Sequence, residues 1–182
     1  YLKNFPGMQD ELRYCLITNL PENKDSDFSW KDFQKKNNNE LVAILGNYIN
    51  RVFVLCDKFF DKRVPKISNK DLDKEIFMEL DSIKLKIESS IKKFKFREAM
   101  SYVIDIARLG NKYLTDTEPW KIFKDKPERV KNIIHNSLQI VANISILCEP
   151  FLPFTSNKIK DHLNVSNLNW NDIGKNILSS DH

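Results

Sequence analysis

Residues 70–92 read KDLDKEIFMELDSIKLKIESSIK. Within this stretch Leu72, Ile76, Leu80, Ile83, Ile87 and Ile91 recur at steps of four, four, three, four and four. That spacing gathers all six on one face of an α-helix and leaves the charges on the other. Ser68, with Asp71 three residues later, supplies a capping-type start. A chain organised around such a helix must bury its stripe against similar partners, so the flanking segments decide the fold.

The neighbours carry the same signal. Downstream, the stretch from Phe96 to about Leu114 places Ala99, Met100, Val103, Ala107 and Leu114 at helical spacing, and Thr115-Asp-Thr-Glu-Pro-Trp120 breaks it. Upstream, Ser29 and Asp32 open a run from Trp30 to about Asp61, with Phe33, Leu41, Ile44, Tyr48, Val52, Leu55 and Phe59 on one face and polar Asn37 interrupting it. Arg63-Val64-Pro65 ends that run, because a proline disfavours helical geometry in the residue before it. Further on, Asp125, Pro127 and Glu128 read as an N-cap, an early-turn proline and an N3 acid. Val130, Ile133, Ile134, Leu138, Val141, Ile144 and Cys148 follow on one face. Pro150 and Pro153 are expected to stop that helix, and Thr155 to Leu163 adds a short last one. No segment reads as paired strands and no internal repeat is present, so the expected fold is all-α, an antiparallel bundle of about five helices.

The bundle is expected over residues 29–163. Residues 1–28 differ: they hold one short helix around Gln9 to Asn19 and an acidic, polar connector from Pro21 to Asp27, and are expected to be the C-terminal end of a preceding domain. Residues 164–182 have weak periodicity and are expected to form an irregular extension.

Composition bounds the function. The 182 residues suit about one domain; they are 41% hydrophobic and 30% charged, with four glycines and seven prolines, enough for a core and too little glycine for a low-complexity chain. No apolar run reaches the ~18 residues of a membrane span. The net charge of +4 permits a nucleic-acid partner without demanding one. The chain opens on Tyr1 and its first methionine is Met8, so a longer parent is expected, with its chemistry upstream. Cys15, Cys56 and Cys148 are distant from one another, lack any paired metal-binding spacing, and read as buried reduced thiols.

Catalytic constellations are missing. The glycines at 7, 46, 110 and 174 are isolated, so no phosphate loop forms. His135, His162 and His182 have no ligand spacing, and His135, mid-helix between apolar positions, reads as a satisfied or surface histidine. Acidic pairs such as Asp10/Glu11 and Asp71/Asp73 read as helix-start or solvated charges. Two features remain. One is a basic stretch, Lys84, Lys86, Lys92, Lys93, Lys95 and Arg97, opposed by Glu88 alone. It is a solvated face by default and a source of sequence-blind attraction beside a phosphate backbone. The other is Asn47, Arg51 and Trp120. Asn47 and Arg51 project side by side, one turn apart, while Trp120 follows Pro119 in an interhelical break, as core filling or as an exposed platform. An up-down-up course of the first three long helices brings the Trp120 loop to the end occupied by residues 51–62, within about two turns of Arg51.

At these residues the sequence resembles a known family. Asp27-Phe-Ser-Trp-Lys-Asp-Phe and Asn38-Asn-Glu-Leu-Val-Ala-Ile-Leu-Gly-Asn-Tyr-Ile-Asn-Arg-Val resemble the methionyl-tRNA synthetases where the catalytic module meets the anticodon-binding bundle. Asn111-Lys-Tyr-Leu followed by Glu118-Pro-Trp resembles that family's block before its anticodon tryptophan. Glu149-Pro-Phe-Leu-Pro-Phe-Thr-Ser with Lys158-Ile resembles its P-F-x-P-F-T-S-x-K-I signature, and Asp10-Glu-Leu-Arg-Tyr-Cys-Leu the LRYYL helix after its KMSKS loop. The blocks cover most of the chain in the family's order. Thr115-Asp-Thr-Glu and Lys160 depart from the family pattern.

The resemblance implies a class Ia anticodon-binding domain whose parent is a methionine–tRNA ligase using ATP and magnesium, with zinc in an insertion. The catalytic motifs would precede Tyr1, so this piece is expected to be inactive alone and to carry no cofactor. Asn47, Arg51 and Trp120, with Pro119 shaping the turn, match the family's readers of the CAU anticodon of methionine tRNA; Lys92, Lys93, Lys95 and Arg97 are candidate phosphate contacts. Expected partners are that tRNA and the preceding catalytic domain, with a dimer through a C-terminal domain outside this sequence, no membrane, and a cytoplasmic location. Two rival readings stay open: a structural helical scaffold that docks a partner protein with Trp120 buried, and the anticodon bundle of another class Ia synthetase.

Overall fold

The computed structural model describes residues 1, 3–22, 25, 27–67, 73–180 and 182. The described residues form α1 (Gln9–Thr18), α2 (Trp30–Lys36), a π-helical segment (Asn37–Gly46), α3 (Asn47–Phe60), α4 (Lys74–Lys92), α5 (Phe96–Thr117), α6 (Pro119–Ile122), α7 (Pro127–Cys148), α8 (Pro153–His162) and a 3₁₀ turn (Trp170–Asp172). They contain no strand. The all-α bundle expected from periodicity is therefore the fold.

The run 30–60 is one continuous helical rod with a change of pitch inside it. Ser29 caps its start, its side chain accepting from the backbone N–H of Asp32 at 3.1 Å. Asn37, expected to interrupt the helix, begins the π segment instead. Its buried amide donates back to the Phe33 carbonyl at 2.8 Å, and the backbone switches to the wider turn without breaking. The rod lies parallel to α5: Lys36 and Arg97 border one pocket, Ile44 meets Asn111, and Arg51 meets Trp120. Helices α4 and α7 run opposite to both, which is the up-down-up course expected.

A single close contact sets the spacing of three helices. A Cβ added at Gly110 of α5 would lie 2.2 Å from Cζ of Tyr48, so the glycine leaves room for that ring. The Tyr48 hydroxyl crosses the gap and donates to the Ser137 carbonyl of α7 at 3.1 Å, fully buried.

Helix α7 is the central rod. One apolar face was expected, yet every residue from Ile133 to Cys148 is buried, polar ones included. The second face is covered by the C-terminal stretch, which is irregular in backbone but firmly held. Gln139 Oε1 accepts from the N–H groups of Ile177 and Leu178 at 2.7 and 3.0 Å, and its Nε2 donates to the Leu178 carbonyl at 2.9 Å. Asn143 Oδ1 accepts from Gly174 N at 2.8 Å. His135 is the satisfied histidine, with Nδ1 3.0 Å from the Pro65 carbonyl and Nε2 3.1 Å from Asn176 Oδ1. Gln139 and Asn143 thus hold the backbone of the C-terminal stretch against the second face of α7, and the buried polar row is a docking strip for backbone.

Several boundaries differ from expectation. Helix α5 runs on to Thr117 and ends where Glu118 turns left-handed at φ 41°. The N-cap of α7 is Lys126, not Asp125, because Pro127 takes the first helical position and holds the residue before it out of the helix. Pro153 opens α8 rather than stopping α7, for the same reason. Helix α4 starts after Asp73; the capping pair Ser68 and Asp71, and Leu72 of the stripe, lie outside the described residues. Lys160 is accommodated by an ion pair to Glu149 at 2.9 Å, with its side chain 12% exposed.

Helix α1 packs onto this bundle at both ends. Asp10 Oδ2 accepts from the N–H of Thr155 at 2.6 Å, Tyr14 donates to Glu40, and Lys36 Nζ donates to the Thr18 carbonyl at 3.1 Å.

Gly110→Ala should lower the urea midpoint by an amount equivalent to about 1–3 kcal/mol, since the new methyl has to displace the Tyr48 ring; an unchanged midpoint contradicts this packing. The three cysteines are buried, and burial, with Asp57 beside it, pushes the Cys56 thiol up to about 11. A thiol-specific disulfide reagent at pH 8 should therefore leave all three unmodified in the folded chain and label them in urea, and fast labelling without denaturant would contradict the burial.

Candidate nucleic-acid interface

The break after α5 presents the tryptophan. Glu118 adopts the left-handed conformation, its N–H returning to the Leu114 carbonyl at 3.1 Å, and Pro119 then starts α6 with its φ already suited to a first helical turn. Pro119 is buried, whereas Trp120, the next residue, is 40% exposed. Its ring faces α3, and the Arg51 guanidinium carbon sits 5.6 Å from its centroid, a cation–π contact. Asn47 is exposed one turn before Arg51. The structure thus brings together Asn47, Arg51, Pro119 and Trp120, and Trp120 is a half-exposed platform rather than core filling.

A fifth residue organises them, and reasoning from the sequence did not single it out. Asn111 of α5 donates through Nδ2 to the carbonyls of Ile44 and Ala107, both at 3.0 Å. With both amide hydrogens engaged, the orientation of its Oδ1 is determined. That oxygen accepts from Arg51 at 3.1 Å and faces Asn47 Nδ2 at 3.4 Å. Ile44 lies in the last turn of the π segment, so the pitch change and the side-chain network meet at one carbonyl. Asn47 is left with its own Oδ1 free of hydrogen bonds among the described residues, and Arg51 keeps four of its five donors. The only trace of Asn111 in the sequence was its place in the Asn111-Lys-Tyr-Leu block; its partners on the facing rod lie 60 or more positions away.

The arrangement can do three things chemically. Trp120 offers a flat face for a base, Asn47 offers an acceptor, and Arg51 offers fixed donors beside it. That set matches a base edge with an amino group next to acceptors. Among the described residues no cluster of three or more histidine, cysteine or acidic side chains forms that could hold a metal, and no helix is long and apolar enough to cross a membrane.

The basic run lies elsewhere. Lys92, Lys93, Lys95 and Arg97 are exposed at the α4–α5 turn. The 22 residues of α5 span about 33 Å at ~1.5 Å per residue, so the run and Trp120 sit at opposite ends of that helix. Lys95 is 3.7 Å from Glu98 and Arg97 3.7 Å from Glu22. Glu88, the one acid in the stretch, is engaged by the indole N–H of Trp170 at 2.5 Å.

Comparison with known proteins defines the class. Residues 1–53 match the model of class I tRNA synthetases for methionine, and residues 64–180 match that of the anticodon-binding domain of methionyl-tRNA ligase. The bundle is thus an anticodon-binding domain of the class I synthetases. More narrowly, the chain belongs to the methionyl-tRNA ligase family. It is 53% identical over 96% of its length to a methionine–tRNA ligase of Cytophaga hutchinsonii and 50% identical over 98% to one of Bacteroides fragilis. It spans about a quarter of the length of those relatives, 25% and 26% respectively. Among solved structures, apo methionyl-tRNA synthetase of Mycobacterium tuberculosis superposes with a TM-score of 0.77 at 22% identity, covering 86% of this chain and 33% of that one, which bears on the fold.

Asn111→Ala removes the acceptor that holds Arg51. The order parameter of the Arg51 Nε–H group in NMR relaxation should fall while the helical content is retained; an unchanged value shows that Trp120 alone restrains the guanidinium.

Proposed function

We propose that this chain reads the CAU anticodon of methionine tRNA through Asn47, Arg51 and Trp120, with Pro119 setting the turn and Asn111 setting the side-chain orientations. The observation that carries the reading is the Asn111 network, which leaves Asn47 presenting an acceptor and Arg51 presenting donors beside an exposed indole. An unpaired cytosine has an amino donor next to two acceptors. Its amino group meets Asn47 Oδ1, its acceptors meet Arg51, and its face lies on Trp120. Uracil puts an oxygen where the amino group was, opposite the Asn47 oxygen, and two acceptors then face each other in a partly desolvated site. Lys92, Lys93, Lys95 and Arg97 supply attraction for phosphates at the far end of α5.

The chain is further read as part of a longer ligase that joins methionine to its tRNA with ATP and magnesium in the cytoplasm, with zinc in an insertion and a dimerising C-terminal domain. The length of its relatives supports a longer parent. Within this chain, residues 1–28 are read as the end of the catalytic module, 29–163 as the anticodon-binding bundle and 164–182 as an extension, and the piece is read as inactive and free of cofactors by itself. The partial exposure of Trp120 weighs against a scaffold in which that ring is buried.

Binding of anticodon stem-loops tests the reading. The chain should prefer CAU over UAU by roughly ten-fold or more, the size of one lost polar pairing of about 1–3 kcal/mol. Trp120→Ala should weaken binding to every loop by a similar energy, whereas Asn47→Ala, which removes the acceptor, and Arg51→Gln should chiefly erode the preference at the first anticodon position. Equal affinities for CAU and UAU would defeat the assignment.

A further inference from the structure

Phe94 stands out from every other residue of its kind in this molecule. It occupies the left-handed position that ends α4, at φ 58°. The hydrogen bonds there are those of a Schellman turn: Phe94 N–H returns to the Ile91 carbonyl at 2.9 Å and Lys95 N–H to the Ser90 carbonyl at 2.8 Å. Glycine or asparagine fits that position at little cost, and a bulky aromatic is strained in it. Among the described residues the other non-glycine positive-φ positions are Asp61, Lys62, Glu118, Asn164 and Asn167, all polar. Phe94 is also the most exposed large hydrophobic residue described, at 76%. Its one aromatic contact is an edge-on approach to Phe96 at 6.2 Å. Neither backbone preference nor packing accounts for the ring.

Its surroundings are cationic. The run Lys92-Lys93-Phe94-Lys95-Phe96-Arg97 holds four positive charges and no acid. Lys92 and Lys93 form no ion pair among the described residues, and the pairs of Lys95 and Arg97 are long, at 3.7 Å each. An exposed ring set among cations is the chemistry that binds single-stranded nucleic acid, with a base or ribose against the ring and phosphates against the lysines. An anionic lipid surface would favour an amphipathic helix with a broad apolar face; here a single ring projects from a turn.

We propose that the α4–α5 tip is a second RNA contact, in which Phe94 stacks on an unpaired or terminal base while Lys92 and Lys93 engage the flanking phosphates, about 33 Å along α5 from Trp120. It rests on the reading of this chain as a tRNA binder but is independent of which anticodon is read. The strain makes the test sharp. Phe94→Gly should raise the unfolding midpoint, because it relieves the left-handed position, and should lower affinity for tRNA transcripts at least five-fold. The loss should be equal for CAU and UAU transcripts, leaving their ratio intact. Phe94→Asn, which also suits the turn, should behave like the glycine variant, and Phe94→Trp should retain binding. Undiminished affinity in Phe94→Gly overturns the proposal; if Trp120→Ala still weakens binding, the anticodon reading survives that failure. Conversely, no CAU preference with a Phe94 effect intact removes the anticodon reading and leaves the tip. Binding to phosphatidylserine–phosphatidylcholine vesicles that Phe94→Gly abolishes, without change on tRNA, identifies a lipid contact and overturns the RNA assignment. A wild-type chain that binds no transcript overturns both.

Discussion

Three helices meet where the Tyr48 ring lies against the backbone of Gly110, and the rest of the structure depends on that contact. The absent side chain at 110 lets α3 and α5 run parallel at close quarters, and the Tyr48 hydroxyl then reaches the Ser137 carbonyl on α7. With α3 and α5 held in this register, Asn111, next after Gly110, and Arg51, three residues after Tyr48, face each other, and the end of α5 delivers Trp120 above the guanidinium. A core contact worth a few kcal/mol at most thereby fixes the geometry of a polar site at the surface.

The polar site has its own internal logic. The π segment widens the helix just before Asn47, and the Ile44 carbonyl at its end accepts from Asn111. Asn111 spends both of its donors on backbone and all of its acceptor capacity on Asn47 and Arg51. Such a residue contributes little apolar burial, yet it decides which atoms its neighbours show to solvent. The same economy recurs on α7, where Gln139 and Asn143 bind the backbone of the C-terminal stretch and allow an irregular segment to close the core.

The long helices were legible because burial of a stripe demands a period close to 3.6 residues, and Ile76 to Ile91 or Val130 to Cys148 show it plainly. Capping at Ser29 and the break at Glu118-Pro119 were legible because local sterics produce them. The start of α7 was misread at Asp125 because two local signals competed, and the proline's constraint on Lys126 outweighed the capping side chain. The second buried face of α7 was illegible: serine, asparagine and glutamine there look like a solvated side until a distant strap covers them.

Sequence by itself determined that this is a helical bundle, where most helices begin and end, and that Asn47 and Arg51 share a face. Only the tertiary structure decided that Asn111 orients them, that Trp120 is half-exposed above Arg51, and that the basic run lies at the opposite end of α5 with Phe94 projecting from it. The physical reason is range. Helical periodicity and capping act over three or four residues and leave a repeating trace, whereas these polar contacts join positions 60 or more apart, and a single long-range hydrogen bond imposes no pattern on the residues between.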